Sequence, residues 1–85
     1  MCTLKSGVLL TETEYGMALL DQKSAEYWTL NPAAAVVLRA LLDGHGVERA
    51  AAALVERYDD VDAEVAAQDV VTIVDDLRSA GLITP

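Results

Sequence analysis

Any chemistry in this 85-residue chain would have to come from very few side chains. There is one histidine, His45, and one cysteine, Cys2. A nucleophile–base pair would need the two within hydrogen-bond reach. His45 stands between Gly44 and Gly46, which is a turn setting, and Cys2 sits at a terminus expected to fray. These positions read as a solvent-exposed turn histidine and an incidental thiol. The acidic pairs Asp59-Asp60 and Asp75-Asp76 have the residue type for general acid–base work. Neighbours on a helix point about 100° apart, so Asp75 and Asp76 do not converge on one site and read as a solvated face. One histidine, one cysteine and no calcium-loop spacing offer no metal site. No glycine-rich loop is present to cradle a phosphate. The expectation is a protein that is not an enzyme and uses neither metal nor cofactor.

Charge narrows the partners. Fourteen acids face six bases, a net charge of −8. Such a field repels nucleic-acid phosphates and anionic lipid heads and favours a partner carrying Lys or Arg. No apolar run reaches the roughly 18 residues of a membrane span, and "MCTLKSGVLL" lacks the long apolar stretch and cleavage site of a secretory signal. A lone cysteine cannot form an internal disulfide, so a reducing, cytoplasmic setting is expected. The length suits one domain, residues 1–85, and 53% apolar residues suffice for one core. With no Phe, that core should consist of aliphatic side chains, a few Tyr and Trp28.

Hydropathy periodicity supplies the elements. "VLLTET" (Val8 to Thr13), "MALLD" (Met17 to Asp21) and "AEYWTL" (Ala25 to Leu30) are short apolar or alternating runs, joined at Tyr15-Gly16 and at Gln22 to Ser24. They predict a three-stranded antiparallel meander. At Asn31 the period changes. Asn31 is placed to cap a helix and Pro32 falls at its first position, where a missing N–H costs nothing. Val37, Leu38, Leu41 and Leu42 share one face, and Gly44 can end the helix, predicted over Pro32 to Asp43. A second helix is predicted from Val47 to Tyr58, with Val47, Ala50, Ala51, Leu54 and Tyr58 as its apolar stripe. A third runs from Ala63 to Ala80, with Ala66, Val70, Ile73, Val74, Leu77 and Ala80. Gly81 should close it, leaving Leu82-Ile83 to fold back onto the core. The order βββααα predicts an α+β domain, a trihelix of winged helix-turn-helix type packed on one sheet face.

A helix-turn-helix suggests DNA, but the third helix would present Asp62, Glu64, Asp69, Asp75 and Asp76 against Arg78 alone. Phosphate contacts need the opposite sign. The third strand is more informative. As a sheet edge it would turn Glu26, Trp28 and Leu30 one way and Tyr27 and Thr29 the other, with Trp28 and Leu30 toward the helices. Trp28 then reads first as core, and a core aromatic at an edge also lines the adjoining groove. Edges are usually blunted by Lys, Pro or a bulge, and "AEYWTL" has neither Lys nor Pro. An unprotected edge beside a helix rich in Val, Ile and Leu is what peptide strand addition requires.

The stretch "GMALLDQKSAEYWTLNPAAAVVLRALLDG" (Gly16 to Gly44), followed by "VERAAAALVERYD" and "DVVTIVDDLRSAGLI", resembles the PqqD-like family over nearly the whole chain. The resembling features are a hairpin, an aromatic strand ending in Leu-Asn, a helix ending in Leu-Leu-Asp-Gly, the Asp69-Val70 pair and the closing Gly81-Leu82-Ile83. Within the family it is most similar to the stand-alone leader-binding proteins of lasso-peptide biosynthesis. The resemblance implies a RiPP recognition element, a small winged-helix domain that binds the leader of a ribosomally made precursor peptide. The leader would add as a strand at Glu26, Tyr27, Trp28, Thr29 and Leu30, against a groove wall of Val70, Ile73, Val74 and Leu77. Charge adds a further expectation: Asp69, Asp75 or Asp76 at the groove rim would attract basic leader residues, chiefly raising the association rate. It also implies a leader carrying Tyr-x-x-Pro, a separate transglutaminase-like cysteine leader peptidase as partner, and the pathway's cyclase as a further candidate. From the residues alone, a winged-helix protein-interaction adaptor or transcriptional regulator using another face stays open as the alternative.

Overall fold

The computed structural model describes residues 2–84, as eight elements in the order β1 (Thr3–Leu4), β2 (Val8–Thr13), β3 (Gly16–Asp21), β4 (Tyr27–Leu30), α1 (Pro32–Leu42), α2 (Val47–Arg57), α3 (Ala63–Ser79) and β5 (Ile83–Thr84). The expected meander is β2-β3-β4, antiparallel throughout, followed by the three expected helices. Leu9 pairs with Leu20 and Leu20 with Tyr27; Leu19 pairs with Trp28 and Met17 with Leu30. With side chains alternating along each strand, this register sends Val8, Met17, Leu19, Trp28 and Leu30 into one cluster under the helices, where Met17 and Leu19 are buried completely or nearly so.

The first and third helices start where the capping chemistry predicts, while α2 begins after Gly46 without a side-chain cap. The Asn31 side chain accepts the Ala34 N–H at 2.8 Å, and Asp62 accepts that of Val65 at 2.8 Å. The helices also end as expected. At the close of α3 the Gly81 N–H donates to Arg78 and the Leu82 N–H donates to Leu77, each at 3.0 Å. Gly81 has φ 73°, the left-handed geometry this cap demands. Leu82 folds back beside Leu77 in the same cluster, the apolar contact that accompanies the motif.

The apolar stripes hold in their centres and fail at their ends. Val37, Leu38 and Leu41 of α1, Ala50, Ala51 and Leu54 of α2, and Ala66, Val70 and Leu77 of α3 are buried. Val47, in the first turn of α2, and Ala80, capping α3, are exposed because the helix ends overhang the core. A second cluster among the helices holds Val37, Leu41, Leu54 and Val70. Ile73 and Val74, half-buried, pack against both clusters.

The N-terminal expectation needs correction. Residues Thr3 and Leu4 pair with Thr84 and Ile83, so the two ends of the chain form a small antiparallel ribbon. Cys2 is therefore not on a fraying end. It is half-buried against both clusters, and loss of solvent around it raises the thiol pKa above its ordinary value. Two-residue strands carry almost no alternation, which is why neither was legible.

Candidate functional site

The site is built from β4 and α3. In an antiparallel ladder the pairs that exchange hydrogen bonds alternate with pairs that do not. The Asp21 N–H donates to the Glu26 carbonyl at 2.9 Å, which makes Asp21–Glu26 a hydrogen-bonded pair. Trp28 and Leu30, two and four residues on, then turn their main-chain groups toward β3. Tyr27 and Thr29 turn theirs outward. Among the described residues no strand pairs with β4 on that side. The edge so exposed presents two N–H donors and two C=O acceptors, with no Lys, Pro or bulge across Tyr27–Leu30. Side chains follow the expected parity: Trp28 and Leu30 pack into the cluster under the helices, while Tyr27 and Thr29 are exposed. Glu26 is exposed just before the strand and closes the turn through its carbonyl.

That turn is held by local chemistry. The Asp21 side chain accepts the Lys23 N–H at 2.9 Å, and the Ala25 N–H donates to the Asp21 carbonyl at 2.8 Å. Ala25 is forced to φ 62°, a left-handed conformation unfavourable for a residue with a Cβ. Hydrogen bonds thus hold the turn immediately before the open edge.

A groove runs between the end of β4, the first turn of α1, and α3. It consists of two adjoining hollows of about 260 and 230 Å³ that share Asn31, Ala34 and Ile73. The β4 side contributes Thr29 and Leu30, and the helix contributes Asp69, Thr72, Ile73, Asp76 and Leu77. Positions 69, 72, 73, 76 and 77 follow the spacing of a single helical face. Ile73 is the apolar centre of that face, with Asp69 and Asp76 one turn away on either side.

The candidate residues therefore divide. Ile73, Asp69 and Leu77 line the groove, Leu77 as a nearly buried floor at 4% exposure. Val70 has no exposed surface; it packs on Val37, Leu41 and their neighbours and supports α3 from behind. Val74 lies between the two clusters and does not line either hollow. Sequence reasoning missed Thr72, Asn31 and Ala34 as groove residues. Thr72 was within reach, since it shares the face of Asp69, Ile73 and Asp76; Asn31 and Ala34 needed the crossing of α1 over α3.

His45 and Cys2 are not paired in this architecture: His45 is exposed at the α1–α2 turn, whereas Cys2 packs against the core beside the β1–β5 ribbon. The exposed side of α3 carries Glu64, Asp69, Asp75 and Asp76, keeping the sign that repels phosphate. No helix is long and apolar enough to cross a membrane among the described residues.

Comparison with known proteins places this architecture. The family model described as coenzyme PQQ synthesis protein D (PqqD) matches residues 16–83. No curated protein matches. Among solved structures, a lasso peptide synthetase B1 complexed with its leader peptide is 37% identical, with a TM-score of 0.90 over 99% of this chain and 98% of that one. The protein TbiB1, solved in complex with the TbiA(beta) leader peptide, shares the fold at 18% identity, with a TM-score of 0.84 over 95% of this chain and 93% of that one. With a hairpin, an aromatic edge strand and a trihelix matched over this length, the chain belongs to the PqqD-like family of RiPP recognition elements.

Proposed function

We propose that this chain binds the leader region of a ribosomally synthesised precursor peptide by strand addition at Tyr27–Leu30, and presents it to a separate leader peptidase in lasso-peptide biosynthesis. The observation that carries the reading is the free main-chain edge at Tyr27 and Thr29 beside the Ile73-centred groove. The 37% identity to a synthetase B1 solved with its leader supports the choice of peptide. The chain is proposed to act without catalysis of its own, in the cytoplasm. Its partner enzyme would be a transglutaminase-like cysteine peptidase, with the cyclase as a further partner.

Energetics assign separate tasks to edge and groove. Four main-chain hydrogen bonds, at about 1 kcal/mol net each, contribute a few kcal/mol. Ordering a flexible peptide costs roughly 1–2 kcal/mol per residue. Strand pairing alone therefore cannot hold the leader. Apolar anchors, at about 1.5–3 kcal/mol for each fully buried side chain, supply the difference. The edge sets direction and register; the groove around Leu30, Ala34, Ile73 and Leu77 sets affinity; Asp69 and Asp76 attract basic leader residues.

Calorimetric titration of the isolated chain with the cognate leader tests this. One-to-one binding, lost in a folded Ile73→Asp variant, is expected. Unchanged binding by that variant would show that the groove is not the site.

A further inference from the structure

The outer face of the sheet, away from the helices, carries a row of apolar side chains that the core does not use. Leu9 pairs with Leu20 and Leu20 with Tyr27, so the three lie side by side across β2, β3 and β4. They are 49%, 39% and 68% exposed. The next row is Thr11, Ala18 and Thr29. Neither row contains a charge, on a chain in which 24% of residues are charged. Beyond them, an open hollow of about 750 Å³ is lined by Thr13, Tyr15, Thr29, Leu30, Asn31 and Pro32, again without charge. The apolar row ends at Tyr27, one of the two residues whose main-chain groups face outward.

A strand added at that edge must continue the pleat. Side chains of directly paired residues on adjacent strands lie on the same face of a sheet. The peptide residue opposite Tyr27 therefore points to the outer face, and its two neighbours point to the helix side of the sheet, where the Ile73 groove adjoins Thr29 and Leu30. We infer that the outer face is a second recognition surface for the added peptide, taking an apolar side chain beside Tyr27 as the fourth member of the Leu9–Leu20–Tyr27 row. This deepens the leader-binding reading and rests on it. The peptide is read on both faces of the strand it forms: an apolar residue on the outer face lies between two positions that face the helix side. A charged residue at the outer position would be set against apolar neighbours and disfavoured. The occupant is the peptide itself, because the row is continuous with the open edge and ends on it.

The test uses a synthetic, fluorescently labelled leader peptide carrying the Tyr-x-x-Pro motif. Its affinity is measured for the wild type, Leu20→Thr, Tyr27→Thr and Ile73→Asp, each confirmed folded by circular dichroism. Threonine retains strand propensity, and both outer side chains are exposed, so the fold should persist. Expected is a loss of up to about fivefold for Tyr27→Thr, as for up to about 1 kcal/mol of direct cross-strand contact, and a smaller loss for Leu20→Thr, which lies one strand further from the peptide. A leader scan with Asp should find a sensitive outer-face position between two helix-side positions, and the sensitivity of the outer-face position alone should shrink in Tyr27→Thr. Binding lost in Ile73→Asp but unchanged in both threonine variants overturns this inference and leaves the groove reading intact. Binding unchanged in all three variants overturns both. A threonine variant that converts a dimer to a monomer at unchanged affinity would make the face a self-association surface, and would also overturn the inference.

Discussion

Gly16 lies against the carbonyl oxygen of Leu30. A Cβ built on Gly16 would overlap that oxygen and crowd the backbone of Asn31, and Gly16 holds φ 143°, a conformation that residues with side chains rarely adopt. The tip of the β2–β3 hairpin thus presses on the junction of β4 with α1. That junction supplies Leu30, Asn31 and Ala34 to the groove. A glycine that does not line the groove therefore packs against the junction that forms one wall of it.

Gly16→Ala should consequently destabilise the fold, by about 1–3 kcal/mol from strain and displacement together. A thermal melt should show the midpoint falling by roughly 5 °C or more. A melt unchanged within error would mean that the junction is not tightly held.

Ala25 offers the opposite case. Its φ of 62° places a Cβ in left-handed backbone, at a cost of roughly 1–2 kcal/mol that glycine avoids. Glycine also has more freedom to lose on folding, so Ala25→Gly should raise stability by about 0.5–1 kcal/mol net. Urea unfolding of the two proteins measures the sign directly.

Much of this was legible beforehand, and the reasons are physical. Asn31-Pro32 states a helix start in two residues, and both cap and helix appear where those residues place them. Strand parity placed Trp28 and Leu30 under the helices because a period of two leaves no third choice. The parts that were not legible depend on long-range contacts. The β1–β5 ribbon joins Thr3 to Thr84, with two residues in each strand. The split between Ile73, which lines the groove, and Val70, which is buried behind it, reflects how α3 is rotated against α1. The apolar stripe of α3 contains both and cannot order them.

The helix caps can be tested separately from the site. Asp62 accepts the Val65 N–H on an exposed surface away from the groove, so Asp62→Ala should cost about 1 kcal/mol of stability and leave leader affinity unchanged. Asn31→Ala should cost a similar amount and also weaken the leader, since Asn31 lines both hollows. Paired melts and titrations separate the two roles.

The half-buried Cys2 thiol has a raised pKa because desolvation disfavours the thiolate. The thiolate is the reactive form. At a pH near the ordinary thiol value, the folded protein should therefore react with iodoacetamide more slowly than the urea-unfolded chain, and the gap should narrow as the pH rises through the folded-state value. Equal rates in both states would show Cys2 to be solvated.

Asp69 and Asp76 flank Ile73 along the groove. For a leader with Lys or Arg near the strand, Asp69→Asn and Asp76→Asn should each slow association by about twofold to fivefold at low salt, with little change in dissociation. The difference should fade at about 1 M salt, where the screening length is near 3 Å. Stopped-flow binding at two ionic strengths measures it.

The most direct measurement is amide hydrogen exchange at Tyr27 and Thr29, with and without the cognate leader. Both N–H groups should exchange readily in the free protein and become strongly protected in the complex, because an incoming strand takes them as donors. A leader that binds tightly while these two amides go on exchanging at their free rates would contradict strand addition at this edge.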